Sequence, residues 1–344
     1  MKDKKFVRII LSVLFFLLMM GTIGTEVYAA EKIKWVAQSI FPAGDSLYKE
    51  FVTFAERVKV ATNDRIEITT HPVGAIVGYR EMVDAVKTNI LQAYYSSPTF
   101  QSGKEPAFSV INNLPNCYDN VMQADSWFYH KGGLKISREA HSKLGTYPVG
   151  TVFYGREHLP SKVPLRTLAD FKGKKIRVPE GVEAMLFTAL GTGTVSMPGS
   201  ELYTALEKGV IDAADWGTRS MNFQLGLHEV CKYSIEPGFH SMGALEFVVS
   251  KKTWDSLPKD LQQILESMVR EWSWNAVSRI LKEDAEVGPK LKQMGVEIIS
   301  LPAEDYVKIR RISQGVWLEW AKKSPLCKQV IDSHIAFAKE LGLF

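Results

Sequence analysis

Side chains that could bind a small anion lie close to the ends of two short apolar runs in the middle of the chain. Arg177 belongs to a β-like run at residues 175–178, and a second run that follows Gly209 ends at Asp215 and Trp216. A guanidinium can give a carboxylate two parallel hydrogen bonds, which fixes the orientation of the anion as well as its charge. We expect Arg177 and Trp216 to hold a small anion between them. An exposed strand arginine and a core tryptophan beside a turn aspartate would leave the same pattern.

The elements that position these residues recur in the chain. Residues 81–93 and 201–213 share one pattern at an offset of 120 positions. In each, a helical segment ends at Asn89 or Gly209, the residue types that best tolerate a left-handed cap, and a short apolar strand follows. With an earlier strand-like run in each half, this predicts two α/β lobes. A common helix-to-strand pattern can also recur by chance.

Other segments indicate how the lobes are joined. Residues 47–58 place apolar side chains on one face of a helix, while residues 147–154 and 244–249 are β-rich and are expected to cross between the lobes. The last hundred residues are mainly helical. A long helix opens at Pro258, and we expect Pro289 to kink or split it.

The N-terminus predicts export. Residues 1–29 read as a signal peptide, with a basic start, an apolar run at residues 9–20 and small residues before the cleavage site. That run is too short to span a bilayer comfortably. Because the first cysteine is Cys117, no cysteine near the cleavage site can carry a lipid. We therefore expect a periplasmic protein that is not embedded in the membrane.

Charge and cysteine content exclude other classes of protein. The formal net charge of +4 includes four basic and two acidic side chains in residues 1–29, so the mature chain carries +2. That is too small to imply a basic face for nucleic acid. Cys117, Cys231 and Cys327 are an odd set with no C-x-x-C motif, which allows buried thiols or a single disulfide.

Motifs for catalysis are weak. The S-x-x-K match at Ser46 has no S-D-N or K-T-G partner, and the glycines near Gly191 follow a helix rather than a strand. The seven histidines lack zinc-ligand spacing, and no G-x-S-x-G elbow occurs. A hydrolase site assembled from distant residues stays open as an alternative.

The match to a known family becomes specific at two stretches. Residues 170–177 read DFKGKKIR, and residues 201–212 contain E-x-Y-x-A-L-x-x-G-x-x-D. Together with residues 42–44, with residues 81–93 and with Leu257-Pro258, they resemble the solute-binding subunit of tripartite ATP-independent periplasmic (TRAP) transporters. The resemblance covers almost the whole mature chain.

Within that family, Asp215-Trp216 and residues 233–240 look most like the branch that binds 2-oxo acids and lactate. The resemblance implies a two-lobed α/β fold, like that of periplasmic binding proteins, with crossing strands and a long helix that spans the hinge. It implies a binding protein rather than an enzyme, which captures a small organic acid anion and delivers it to small and large membrane permease subunits. A binding module for a sensor system is the alternative within this class.

The lobe boundaries follow from the resemblance. Lobe 1 is expected at residues 30–150, with about 241–270 returning to it. Lobe 2 is expected at residues 151–240, with the helical residues 271–344 packing across both lobes.

The resemblance also assigns site residues. It makes Arg177 the main carboxylate ligand and Trp216 an apolar wall, and it places Asp215 beside them. The remaining expected contacts are Phe153, Tyr154 and Phe239, with Tyr94 and Ser97 from the first lobe.

A metal ion assists binding in that branch, through the positions of Asp215 and Trp216. This chain departs from the pattern, because Ser241 replaces a glutamate and residues 151–154 lack a glutamine. Calcium needs six to eight oxygen ligands. We therefore expect no metal or other cofactor, with protein groups or water in its place.

Overall fold

The computed structural model describes residues 32–344, so the predicted signal peptide lies outside the described residues. The strands are β1 (Ile33–Ser39), β2 (Ile66–His71), β3 (Ala93–Ser96), β4 (Thr146–Val152), β5 (Leu159–Ser161), β6 (Lys175–Arg177), β7 (Gly193–Val195), β8 (Ala213–Ala214), β9 (Tyr233–Ile235), β10 (Leu245–Ser250) and β11 (Glu297–Ile299). The helices are α1 (Ser46–Ala61), α2 (Met82–Lys87), α3 (Ala107–Asn112), α4 (Val121–His130), α5 (Gly133–Ser142), α6 (Val182–Ala189), α7 (Leu202–Glu207), α8 (Arg219–Gln224), α9 (Leu227–Val230), α10 (Lys251–Ser256), α11 (Lys259–Gln293), α12 (Ala303–Ala321) and α13 (Pro325–Glu340).

The strands form two separate sheets. The first has five strands in the order β2-β1-β3-β10-β4, and the second has six in the order β11-β9-β5-β8-β6-β7. We call the first sheet with its helices lobe 1 and the second sheet with its helices lobe 2. In lobe 1, β10 runs antiparallel between β3 and β4, while β1 and β3 are parallel. In lobe 2, β6 is parallel to both β7 and β8.

The chain passes between the sheets three times, twice in short connections and once through α10 and α11, which lie between β10 and β11. Strand β4 belongs to the first sheet and β5 to the second, so the first crossing lies in residues 153–158. Strand β9 belongs to the second sheet and β10 to the first, so the return lies in residues 236–244. The β-rich segments 147–154 and 244–249 thus sit largely within the first sheet. The crossings themselves are the irregular residues beside them, and these border the candidate site.

Helix α1 forms where its apolar face predicts a helix. The Asp45 side chain caps it by accepting a hydrogen bond from the Leu47 amide at 2.7 Å. Its buried face includes Phe51 and Phe54, whose rings stack on Trp272 at centroid distances of 5.6 and 4.5 Å. These contacts join α1 to α11, the long helix that also contacts β4 and α8. Helix α11 therefore contacts both lobes.

Of the two effects expected of Pro289, a kink or a split, the split does not occur. Helix α11 runs for 35 residues, Lys259–Gln293, with Pro289 inside its last turns. Val287 and Leu291 are buried on either side of the proline and cluster with Val296. This packing holds the last turns against the protein even though Pro289 cannot donate a backbone hydrogen bond.

Buried cysteine and tryptophan side chains belong to the core. Cys117, Cys231 and Cys327 are free and buried, which agrees with the thiol alternative. Trp317 and Trp320 on α12 are buried and donate their indole N–H groups to backbone carbonyls, so they are packing anchors.

Within residues 32–344, no helix combines the length and apolar character needed to cross a bilayer.

Candidate functional site

Strand pairing brings Arg177 and Asp215 to one edge of the second sheet. Strands β6 and β8 are parallel neighbours, with Arg177 opposite Ala214, and the Asp215 amide donates to the Arg177 carbonyl at 2.8 Å. Because the carboxyl ends of parallel strands meet at the same edge, Asp215 and Trp216 emerge beside the arginine. The proximity expected for these three residues is present.

Arg177 points into the protein rather than into solvent, with 3% of its surface exposed. Its Nε donates to the Met197 carbonyl at 3.1 Å and its Nη1 donates to the Asp215 carbonyl. A guanidinium has five N–H donors, so three have no hydrogen-bond partner among the described residues. Its central carbon lies 5.7 Å from the centroid of the Trp216 ring. Burial lowers the pKa of Arg177, but a guanidinium stays charged at neutral pH.

The guanidinium faces a cavity lined by residues of both lobes and of the crossing segments. We call this cavity the cleft; the centre of a water molecule can occupy about 50 Å³ of it. Five of the expected site residues line it, namely Arg177, Asp215, Trp216, Tyr154 and Ser97. The other lining residues are Ile40, Phe41, Thr99, Phe100, Asn112, Glu157, Pro179, Glu183, Ser241 and Leu245.

Three expected contacts lie elsewhere. Strand alternation turns Tyr94 away from the cleft into a core cluster beside α2. Phe239 packs on Phe171 and Phe187 in the core of lobe 2, and Phe153 packs edge-on against Phe128. Tyr94, Phe153 and Phe239 therefore pack in the protein core around the cleft and do not line it.

A second cavity adjoins the first. The centre of a water molecule can occupy about 40 Å³ of it, and it is lined by Phe153 and Phe239 along with Arg156 and Arg310. Both arginines already have partners, since Arg156 donates to the Gly238 carbonyl at 3.1 Å and Arg310 donates to an Asp119 carboxylate oxygen at 2.6 Å. Both arginines are partly exposed, whereas Arg177 is buried, so the charges beside this cavity are better hydrated than the one in the cleft.

Three buried carboxyl groups line the cleft beside the arginine. They belong to Glu157, Glu183 and Asp215, each no more than 6% exposed. Loss of hydration raises the pKa of all three, and the proximity of Asp215 raises the pKa of Glu157 and Glu183 further. Among the described lining residues, Arg177 is the one that carries a positive charge.

Two of these carboxyl groups are bonded to local partners. The Tyr154 hydroxyl donates to Glu157, and His240 Nε2 lies 2.8 Å from Asp215 Oδ1. Burial lowers the pKa of His240 to about 4, so its imidazole is neutral at neutral pH. A neutral ring bonded through Nε2 to a carboxylate holds its proton there. The buried Nδ1 atom has no hydrogen-bond partner within residues 32–344.

The third carboxyl group is held by an amide. Asn113 Nδ2 donates to Glu183 Oε1 at 2.5 Å and also to the His240 carbonyl at 2.8 Å. The Met242 amide lies 3.4 Å from Asn113 Oδ1. With both ends of its amide engaged, Asn113 fixes the orientation of the Glu183 carboxyl group.

The donor atoms of Glu157, Asp215 and His240 lie within 4.8 Å of one another, a spacing that suits a metal ion. Their chemistry fits a divalent cation, since two carboxylates are hard oxygen donors. His240 is already bonded to Asp215, so it would orient that ligand, a role common for groups behind a metal site. Glu157 is thus a carboxylate donor that the residue pattern did not reveal, and the cleft holds more oxygen ligands than the sequence indicated.

The cleft is closed by contacts between the lobes. Thr99 Oγ1 donates to the Glu180 carbonyl at 3.0 Å, and Ser109 Oγ accepts from the Val182 amide at 2.7 Å. Between them, Gly181 has a φ of +107°, and a Cβ there would lie 2.1 Å from Ser109 Oγ. Only glycine fits this approach. On the surface, Arg80 forms an ion pair with Glu180 at 2.8 Å.

Glu157, Glu183 and Asn113 are site residues that the sequence analysis missed. Glu183 could have been suspected, because it lies in the first turn of α6, the helix that follows β6, and so lies near the same sheet edge as Arg177. Glu157 and Asn113 had no such signal. Glu157 lies in the crossing segment, and Asn113 follows a short helix of the other lobe.

Comparison with known proteins supports the resemblance. The model of the DctP family, described as bacterial extracellular solute-binding protein, family 7, matches residues 37–324. A monocarboxylate 2-oxoacid-binding periplasmic protein of Nostoc sp. is 26% identical over 318 residues, which cover 90% of this chain and 85% of that protein.

Solved structures share the fold. A TRAP periplasmic solute-binding protein of Rhodobacter sphaeroides, in an apo open form, is 32% identical and has a TM-score of 0.74 over 90% of this chain and 99% of its own. One from Colwellia psychrerythraea, with bound calcium and pyruvate, is 24% identical and has a TM-score of 0.81 over 91% and 96%.

Proposed function

We infer the function from one premise: this chain belongs to the DctP family of bacterial extracellular solute-binding proteins, family 7. It is a TRAP-type periplasmic solute-binding receptor for organic acids, and it works with membrane permease subunits. Its own ligand and the residues that bind it are the subject of the proposal.

The ligand that fits the cleft best is a small monocarboxylate with a 2-oxo or 2-hydroxy group. The observation that carries this proposal is the buried guanidinium of Arg177, with three N–H donors that no described residue uses. A carboxylate can accept two of them in parallel. Trp216 supplies an apolar wall, and its edge contact with Phe41 of the opposite lobe, at 5.9 Å, limits the length of the ligand.

Closure of the lobes strengthens this binding. In the proposal, lobe 1 comprises residues 30–150 with about 241–270, and lobe 2 comprises residues 151–240, with residues 271–344 packing across both. When the lobes meet, water leaves the cleft, and the attraction between a guanidinium and a carboxylate grows as the local dielectric constant falls. The closed form is then the form that the permease subunits recognise.

The predicted absence of a metal ion stays a prediction. Glu157 and Asp215 are the residues that would hold a cation, and its charge would offset the carboxyl groups beside the ligand. We keep the simpler proposal, in which Arg177 alone holds the acid and Tyr154 and His240 bind the carboxyl groups of Glu157 and Asp215. Metal removal decides between the two.

Binding without turnover is the second part of the proposal. The relatives that match this chain are solute-binding proteins. A sensor-system receptor would use the same cleft, and genes for a sensor kinase beside this one would favour it. A hydrolase would consume its ligand, so a turnover assay run beside a binding assay excludes or supports it.

A thermal-shift screen of the mature protein against an organic-acid library tests the ligand class. A ligand that binds only the folded state raises the melting temperature. At a ligand concentration of a hundred times Kd, it adds about 2.7 kcal/mol to the free energy of unfolding. We expect hits among 2-oxo and 2-hydroxy monocarboxylates that persist with EDTA present. Hits confined to other chemistry would contradict the proposal, and loss of every hit with EDTA would show that a cation is required.

A further inference from the structure

Helix α6 of lobe 2 begins without a cap from its own lobe. The first amides of a helix have no partner within the helix, and a side chain at the N-cap position usually accepts from one of them. The N-cap residue of α6 is Gly181, which has no side chain. The Val182 amide instead donates to Ser109 Oγ at 2.7 Å. Ser109 belongs to α3 of lobe 1, so this helix is capped from the opposite lobe.

A second hydroxyl group of lobe 1 bonds to the same loop. Thr99 Oγ1 donates to the Glu180 carbonyl at 3.0 Å. A Cβ on Gly181 would lie 2.1 Å from Ser109 Oγ and 3.2 Å from Thr99 Oγ1, so both hydroxyl groups lie directly against this glycine. The Ser109 and Thr99 side chains are buried. We call these two hydrogen bonds the seam.

The ion pair beside the seam is the weaker contact between the lobes. The side chains of Arg80 and Glu180 are 51% and 35% exposed, and exposed ion pairs contribute little because water and salt screen them. A buried amide that loses its partner is costly, because no water replaces the bond. The seam should therefore hold the lobes together more strongly than the ion pair does.

From these contacts we propose that Ser109 holds the receptor closed by capping α6 from the opposite lobe, with Thr99 as a second contact. When the lobes separate, the Val182 amide and the Glu180 carbonyl lose their partners in lobe 1 and bond to water. The cap therefore exists in the closed form alone and shifts the equilibrium towards that form. Ser109 is a positioning residue, since it is not among the described residues that line the cleft.

This inference rests on the proposed function, because it requires two lobes that close on an acid bound by Arg177. It goes further by assigning retention of the acid to a residue outside the cleft. Capture by Arg177 in the open form does not involve the seam. Loss of the cap should therefore change the rate at which the acid leaves and not the rate at which it is captured.

Stopped-flow fluorescence and isothermal titration of the mature protein, with pyruvate and with L-lactate, test the inference. In Ser109→Ala we expect the tighter-binding acid to dissociate roughly tenfold faster, which corresponds to about 1.4 kcal/mol, with an unchanged association rate. Thr99→Ala should act in the same direction and replaces the first variant should that one not fold. Ser142→Ala is the control, since it removes an exposed hydroxyl of lobe 1 that bonds to the Glu139 carbonyl, and it should leave both rates unchanged.

Hydrogen exchange at the Val182 amide separates loss of the cap from a general loss of packing. The saturating acid should protect this amide in the wild-type protein. In Ser109→Ala we expect the protection of Val182 to be lost, while exchange in strand β10 stays as slow as in the wild-type protein.

The outcomes distinguish the inference from the proposed function. If Ser109→Ala releases the acid at the wild-type rate, or if Val182 stays protected in that variant, the cap does not hold the lobes closed and the proposed function stands. If neither acid binds the wild-type protein, the proposed ligand class fails and the inference fails with it.

Discussion

The helix-to-strand units at residues 81–93 and 201–213 share a pattern of backbone hydrogen bonds, but the residues that follow them differ. In the first, the Ile90 amide donates to the Ala85 carbonyl at 2.9 Å; in the second, the Val210 amide donates to the Ala205 carbonyl at 2.9 Å. Both units leave an apolar residue in solvent, since Ile90 is 56% and Val210 52% exposed. The two lobes therefore repeat one structural unit closely.

The residues directly after the two units differ in chemistry. Strand β3 ends at Ser96 and leads to Ser97, whose hydroxyl donates to Asn112 at 3.0 Å. Strand β8 leads to Asp215 and Trp216, next to Arg177. Lobe 2 thus carries the charged groups and Trp216, while lobe 1 offers apolar side chains and neutral hydroxyl and amide groups. The comparison indicates that lobe 2 captures the acid and lobe 1 closes over it.

The largest effect should come from removing the charge of lobe 2. We expect Arg177→Ala to weaken binding of the best acid by roughly ten- to a thousandfold, because hydrogen bonds between charged groups contribute about 1.5–3 kcal/mol each. Calorimetry measures the affinity of the wild-type protein and of the variant for the acid. Arg166→Ala removes an exposed arginine of the same lobe that is paired with Glu297, and it should leave affinity unchanged. An Arg177 variant with wild-type affinity would show that lobe 2 does not capture the acid through this charge.

The aromatic wall of lobe 2 should rank second. Trp216→Ala removes a large apolar surface from the cleft and its contact with Phe41, so we expect roughly tenfold weaker binding, near 1.4 kcal/mol. Competition against a fluorescent ligand or calorimetry would measure it. Trp320→Phe, at a packing position on α12, serves as the matched control and should bind normally. A Trp216 variant with full affinity would mean that the ring only supports the sheet edge.

The shared turn of the two units predicts an effect on stability rather than on binding. Gly209 has a φ of +70° and Asn89 a φ of +63°. We expect Gly209→Ala to lower the free energy of unfolding by about 1 kcal/mol, the cost of a left-handed conformation for an L-residue. Gly209→Asn, which copies the first unit, should cost clearly less. Urea denaturation compares them, and equal losses for the two variants would argue that the units are not equivalent.

The smallest effect should come from lobe 1. Ser97→Ala removes a neutral hydroxyl from the cleft, and such hydrogen bonds contribute about 0.5–1.5 kcal/mol. We expect a loss of affinity of no more than roughly tenfold, smaller than for either lobe 2 variant, in the same calorimetric assay. If Ser97→Ala lost more affinity than Arg177→Ala, lobe 1 rather than lobe 2 would be the lobe that captures the acid.

The sequence predicted the parts of the site that depend on local pattern. The repeated unit, the helix at Ser46–Ala61 and the meeting of Arg177 with Asp215 all follow from periodicity and from the geometry of parallel strands. The resemblance to a family then indicated the ligand class. These features depend only on residues that are close in the chain or paired within one sheet.

Features that depend on contact between distant segments were not predictable. Glu157 reaches the cleft from a crossing segment, and Asn113 reaches Glu183 from the opposite lobe. Tyr94 was expected in the cleft, but the direction of a side chain on a strand depends on which face the next layer covers. Pro289 stays helical because Val287 and Leu291 are buried beside it, which local propensity does not reveal.

A crystal structure of the mature protein with its best-binding acid tests the central claim most directly. The account predicts the ligand carboxylate on the free N–H groups of Arg177, between Trp216 and the hydroxyl of Ser97, with both lobes in contact. An acid found instead in the adjoining cavity, beside Arg156 and Arg310 and away from Arg177, would contradict it.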